Sequence, residues 1–117
     1  MTIAEAAEKI RGTVVTGTSY AATREVRGGY ASDLLSDAMG NSHAGDLWVT
    51  MQKHVNIVAV AQLKGLAGIV LVNGRVPEEA AIARAEEEHI PIISTELPAF
   101  DVVGILYSQG VKGRRSA

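Results

Sequence analysis

The chain has 117 residues, with 11 Lys and Arg against 13 Asp and Glu, 12 Gly, 3 Pro and no Cys, which is one domain's worth at roughly 100–200 residues per domain. Area scaling buries about two-thirds of such a chain on folding; one core is possible, while a (β/α)8 barrel of about 250 residues is excluded. A 47% hydrophobic content and a net charge of −2 argue against a disordered chain and against a general pull on nucleic acid or anionic membranes, and without cysteine there is no disulfide framework, thiolate zinc site or cysteine nucleophile.

The amino-terminal stretch MTIAEAAEKI has acidic residues where a secretory signal needs a basic start. The longest apolar run, 65–72, falls far short of the roughly 20 residues that cross a bilayer. A cytoplasmic location without membrane contact is the expectation. Ile3, Ala6, Ala7 and Ile10 recur at helical spacing, so residues 3–11 are predicted to form a helix. Thr2 and Glu5 have the spacing of a capping box, and Gly12 can end the helix. Thr13-Val14-Val15-Thr16-Gly17 reads as a strand of β-branched residues stopped by glycine.

Residues 18–27 carry no clear period, and Gly28-Gly29 after them permits a tight turn or a close backbone approach. A helix is predicted next, capped by Ser32 or Asp33, with Leu34, Leu35 and Ala38 on one face and Gly40 or Asn41 at its end. Residues 46–51 are strand-like. The segment 54–64 mixes strand-forming Ile57, Val58 and Val60 with helix-forming Ala59, Ala61, Gln62 and Leu63. A short, mostly buried helix starting near His54 or Asn56 is preferred, because the unbroken apolar run 67–72 follows at once as a strand covered on both faces.

Asn73-Gly74 closes that strand. Pro77 suits a first helical position, Glu78 and Glu79 complement the positive helix end, and Ala80, Ala81, Ala83 and Ala85 favour close packing over 77–88. The run Glu86-Glu87-Glu88 reads as a solvated helix end. Residues 91–95 form another strand, and Pro98 opens a helix reaching about Ser108. This alternation predicts an α/β single domain with a small, mostly parallel sheet flanked by helices. Residues 112–117 read as a flexible basic tail, too short to bind nucleic acid alone.

No G-x-x-x-x-G-K-[ST], G-x-G-x-x-G, G-x-S-x-G or H-E-x-x-H motif is present. His43, His54 and His89 are too dispersed in sequence to define a metal site, so neither a metal nor a cofactor is expected. In an open parallel sheet, ligands collect at the carboxyl ends of the strands. Asp33, Thr50, His54, Asn56, Asn73 and Thr95 all fall just beyond predicted strand ends. Their carboxylate, hydroxyl, imidazole and amide groups suit a small anionic or nucleotide-like ligand. The competing reading makes Asp33, Asn56 and Thr95 helix caps and Asn73 a turn residue. Trp48 and Tyr30 have two readings as well, stacking platforms for a base or fillers of a core or dimer interface.

Gly29-Tyr30-Ala31-Ser32-Asp33-Leu34-Leu35-Ser36-Asp37-Ala38-Met39-Gly40, together with the segment WVTMQKHVNIVAVA from Trp48 to Ala61, resembles a DRTGG domain. The strand Pro91-Ile92-Ile93-Ser94-Thr95 within its helix–strand–helix setting agrees with it, so that residues 1–111 are covered. The resemblance implies a fold similar to the N-terminal domain of HPr kinase/phosphorylase. It also implies an accessory role, since such domains accompany phosphotransacetylases, CBS-pair regulatory regions and some pyrophosphatases. Catalytic residues are not among the features it implies. Kinase activity is not expected, because the phosphate loop is missing from this chain.

Three functions remain open on this basis. The preferred one is a non-catalytic regulatory or assembly module, a homodimer that senses an anionic or nucleotide-like ligand and has room for a partner protein. The second is a small hydrolase or transferase using Asp33 and His54 as acid–base groups. The third is a purely structural dimerisation domain, which requires an apolar patch on the monomer.

Overall fold

The computed structural model describes residues 1–114. Five helices and five strands follow in the order α1 (Ile3–Lys9), β1 (Thr13–Thr16), β2 (Gly28–Ala31), α2 (Leu35–Asn41), β3 (Asp46–Thr50), α3 (Asn56–Lys64), β4 (Gly68–Leu71), α4 (Glu79–Glu88), β5 (Ile92–Ser94) and α5 (Ala99–Ser108). They build one five-stranded sheet in the order β1-β5-β4-β3-β2. Strands β2 to β5 are parallel neighbours, and β1 joins β5 antiparallel. The α/β single-domain reading therefore holds.

Sequence alternation explains the layering. In β3, Leu47 and Val49 face one side and Trp48 the other; Val70 and Ile93 join the first side, Ile69 and Ile92 the second. Every residue of β3 and β4 is buried, as a parallel sheet covered on both faces requires. Crossovers that advance in one direction and keep one hand must put their helices on one face. Residues of α2, α3 and α4 accordingly pack around Trp48, while α1 and α5 cover the opposite face around Leu47 and Val70. No helix of the described residues is long and apolar enough to cross a membrane.

Local chemistry fixes the ends. The capping box of α1 forms as its spacing predicts: Glu5 N–H donates to the Thr2 hydroxyl at 3.2 Å and Thr2 N–H to the Glu5 carboxylate at 2.8 Å. The helix ends two residues early, because Arg11 takes a left-handed backbone with φ 55°. Strand β1 slips register between Val14 and Thr16. There the Thr16 hydroxyl donates to Ile90 O and accepts from Ile92 N–H at 2.7 and 2.9 Å, replacing the lost ladder bonds.

Several predicted details are corrected. Of the two readings of Gly28-Gly29, the turn fails and the close backbone approach holds: the pair is the first half of β2, matched with Asp46 and Leu47 and lying against the backbone of Lys112. Glycine is needed at 28 for space: a Cβ there would lie 2.8 Å from the Asp46 carboxylate and 2.7 Å from Arg114 Nε. Neither Ser32 nor Asp33 caps α2; its first turn begins after Leu34, with no side-chain cap. Only Ala38 of the expected face is buried, and Leu34 is 63% exposed. Pro77 precedes α4 by two residues, and of its four alanines only Ala81 and Ala85, one turn apart, are buried. The Glu86 carboxylate accepts from Gly17 N–H at 2.7 Å instead of standing free in solvent.

Of the tail expected to be flexible, residues 112–114 run along the open edge of β2, and 115–117 lie outside the described residues. Gly29 N–H donates to Lys112 O at 2.9 Å. Arg114 donates from Nε at 3.0 Å and from its guanidinium to Asp46, a carboxylate only 1% exposed, which also accepts His43 N–H at 2.8 Å. A carboxylate removed from water needs such partners to offset its desolvation.

Candidate functional site

The carboxyl ends of β2 to β5 converge on one rim of the sheet. Because β1 runs antiparallel, its beginning reaches the same rim, and Arg11 arrives beside Ser94 and Glu96. The six residues singled out from sequence all lie along this rim, with unequal freedom to act.

Thr50 and Thr95 occupy equivalent places, one at the end of β3 and the other one residue past β5. Each is buried, and each hydroxyl is used in both directions. The Thr50 hydroxyl donates to Asp33 at 3.0 Å and accepts from Gln52 N–H at 3.2 Å. That of Thr95 donates to Ile10 O at 2.7 Å and accepts from Leu97 N–H at 3.2 Å. Asp33 also accepts Met51 N–H at 2.7 Å, and Gln52 Nε2 returns a bond to Asp33 O at 2.9 Å. Both threonines thus spend their hydrogen-bonding capacity joining loops. The Asp33 carboxylate clamps the loop after β3 to the loop after β2.

The other three are exposed. His54 Nδ1 accepts Asn56 N–H at 3.3 Å, so the imidazole satisfies the start of α3 and leaves its Nε2 edge to solvent. Asn56 is the first residue of that helix and not its cap. Asn73 is the turn residue of the competing reading, with φ 59°, and its amide reaches Met51 Sδ at 3.4 Å. Asp33 and His54 share no hydrogen bond or ion pair; each is committed to its own loop.

Beside this ledge lies a groove of about 280 Å³, lined by Arg11, Thr13, Val15, Val76, Ser94, Thr95 and Glu96. The volume falls below the roughly 300–1,000 Å³ of drug-sized sites, so it suits a phosphate or ribose-phosphate group. Arg11 supplies a cation free of any side-chain ion pair among the described residues, while Glu96 adds a carboxylate to the same lining. Sequence reading missed Arg11 and Glu96; for Arg11 nothing local signals that β1 is antiparallel.

A second polar cluster stands where β2 passes into α2. The Tyr30 phenol, then Ser32 and Asn41, hydrogen-bond to Asp37 and hold its carboxyl below the usual range. Burial, then the bond and charge of Asp37, push the Tyr30 phenol up. Trp48 is fully enclosed, with its indole N–H on Ser32 O at 2.9 Å. It is a core filler, unavailable for stacking on a ligand. Among the described residues, no group of three His, Asp or Glu is placed to hold a metal ion.

Comparison with known proteins adds two findings. A family model described as the DRTGG domain matches residues 5–108. Among solved structures, the chain is similar to the CBS and DRTGG domains of the regulatory region of a Clostridium perfringens pyrophosphatase, complexed with the activator diadenosine tetraphosphate. The TM-score is 0.67 at 10% identity, over 90% of this chain but only 45% of the other. At that identity the likeness speaks for the fold. No curated protein matches the chain.

Proposed function

The chain belongs to the DRTGG domain family, and from that premise we propose that it is a non-catalytic regulatory module, working as a homodimer, that senses an anionic, nucleotide-like ligand at the carboxyl rim of its sheet. The observation that carries the reading is the rim itself. It combines a groove of phosphate size with Arg11, which has no ion pair among the described residues, and the exposed His54, Asn56 and Asn73 on the loops beyond. Helix N-termini and loop amides at such a rim favour anions.

The regulatory part is supported by the relative, whose regulatory region was solved with a nucleotide activator. Diadenosine tetraphosphate and shorter adenine nucleotides are therefore the first ligands to try. The non-catalytic part is supported by the separate commitments of Asp33 and His54, which form no acid–base pair. Dimerisation is supported by the exposed apolar face of α5, and a partner protein goes with a regulatory role. A cytoplasmic setting goes with this reading.

The test is thermal denaturation against a panel of nucleotides and phosphorylated metabolites. A ligand present at 100 times its Kd stabilises by about 2.7 kcal/mol, a shift of roughly 10 °C for a domain of this size. Arg11→Gly and Asn73→Gly, which suit the left-handed backbone at both positions (φ 55° and 59°), should abolish that shift while leaving the unliganded melting temperature close to the wild type's. A panel without a single stabilising compound contradicts the proposal.

A further inference from the structure

Helix α5 turns three residues outward that a solitary domain has little reason to expose. Phe100, the chain's one phenylalanine, is 90% exposed, Tyr107 56% and Val103 39%. Between them stands Gly104, in the helix interior, where an added Cβ would meet nothing within 4 Å. A glycine there weakens the helix and removes side-chain bulk, although the monomer needs no room at that point. A shallow hollow of about 550 Å³ lies over this face. It continues, through shared Val103 and Tyr107, into a smaller one of about 150 Å³ against Tyr30 and Val49.

We propose that this face is closed by a second copy of the chain, α5 crossing its twin antiparallel at Gly104. The inference rests on the dimeric part of the proposed function and names its surface. Charge selects the occupant. Asp101 is exposed beside the face near the start of α5, and Lys112 sits at its end, Nζ 3.5 Å from the centre of the Tyr107 ring and 3.1 Å from Tyr107 O. An antiparallel two-fold crossing brings each Asp101 toward the other copy's Lys112. It also sets the two helix dipoles head to tail. A surface acidic at one end and basic at the other is complementary to itself, as an isologous interface must be.

Area fixes the strength. At their exposures of 90% and 56%, Phe100 and Tyr107 contribute on the order of 400–700 Å² over the pair, within the range of transient associations below about 1,200 Å². The dimer is therefore expected to be dissociable.

Sedimentation velocity of the full chain, from roughly 1 to 200 μM, tests this. The wild type should pass from monomer to dimer across that range. Phe100→Asp should raise Kd more than about 100-fold, since the hot spot occurs twice per dimer. Asp101→Lys and Lys112→Asp should each weaken the dimer about tenfold, two exposed ion pairs being lost at once, and the double reversal should restore it. Circular dichroism confirms that each variant is folded. A wild type that stays monomeric overturns the surface and the dimeric reading together. A dimer indifferent to Phe100→Asp and to both charge reversals overturns the surface alone.

Discussion

The carboxyl rim and the outward face of α5 are opposites. At the rim, polar groups are numerous and mostly satisfied within the fold: Thr50, Asp33 and Gln52 form a closed ring of hydrogen bonds, and Thr95 joins Ile10 O to Leu97 N–H. On α5, large apolar groups lie side by side without cover. A polar residue at a strand end can thus be spent on holding a loop, which leaves Arg11 and the tips of His54 and Asn73 for a ligand. An apolar side chain in water has no such internal use, so Phe100 signals an interaction more directly than Thr50 does.

Variants can break this contrast, and the largest effect belongs to the satisfied hydroxyls. Thr95→Val leaves Ile10 O and Leu97 N–H without their partner inside the protein and should cost about 1–3 kcal/mol, read from urea unfolding. Thr50→Val should cost a similar amount, with the clamp on Asp33 loosened as well. Gly104→Ala comes next and has the opposite sign. By restoring helix propensity without a clash, it should stabilise the dilute monomer by about 0.5–1 kcal/mol, while weakening the dimer seen in sedimentation. Phe100→Ser should change the stability of the dilute monomer by no more than about 0.5 kcal/mol, although it destroys the dimer. A large loss of monomer stability would mean that Phe100 belongs to the fold after all.

The smallest effect is one of pH. Asp37 has its carboxyl lowered by Tyr30, Ser32 and Asn41. Its contribution is complete above the ordinary value of 3.8 and disappears as the pH falls through the lowered one. Asp37→Asn should therefore lower stability most near pH 7, where that contribution is whole, and flatten the loss on acidification below about pH 4, where variant and wild type converge. An acid limb as steep as the wild type's would contradict that placement.

Much of the architecture was legible because strong local signals agree with the global fold. The capping box of α1 and the unbroken run 67–72 each mark an element that forms where expected. The helix over 56–64 was decided by alanines against β-branched residues, with help from the strand that follows. What stayed hidden is long-range. Gly28-Gly29 resembles a turn until Asp46 and Arg114 occupy the space of a Cβ. Asp33 resembles a cap until Thr50 and Met51, 17 and 18 residues away, claim its carboxylate. Arg11 enters the groove only because β1 is antiparallel.

The most direct test of the central claim is a titration of the labelled protein with diadenosine tetraphosphate, followed by amide chemical shifts. Saturable shifts at Arg11, Gln52, His54, Asn73 and Glu96, with little change around Arg24 and Gly65 at the opposite end of the sheet, are the result predicted. Shifts confined to that opposite end, or none at millimolar nucleotide, would contradict a ligand-sensing carboxyl rim.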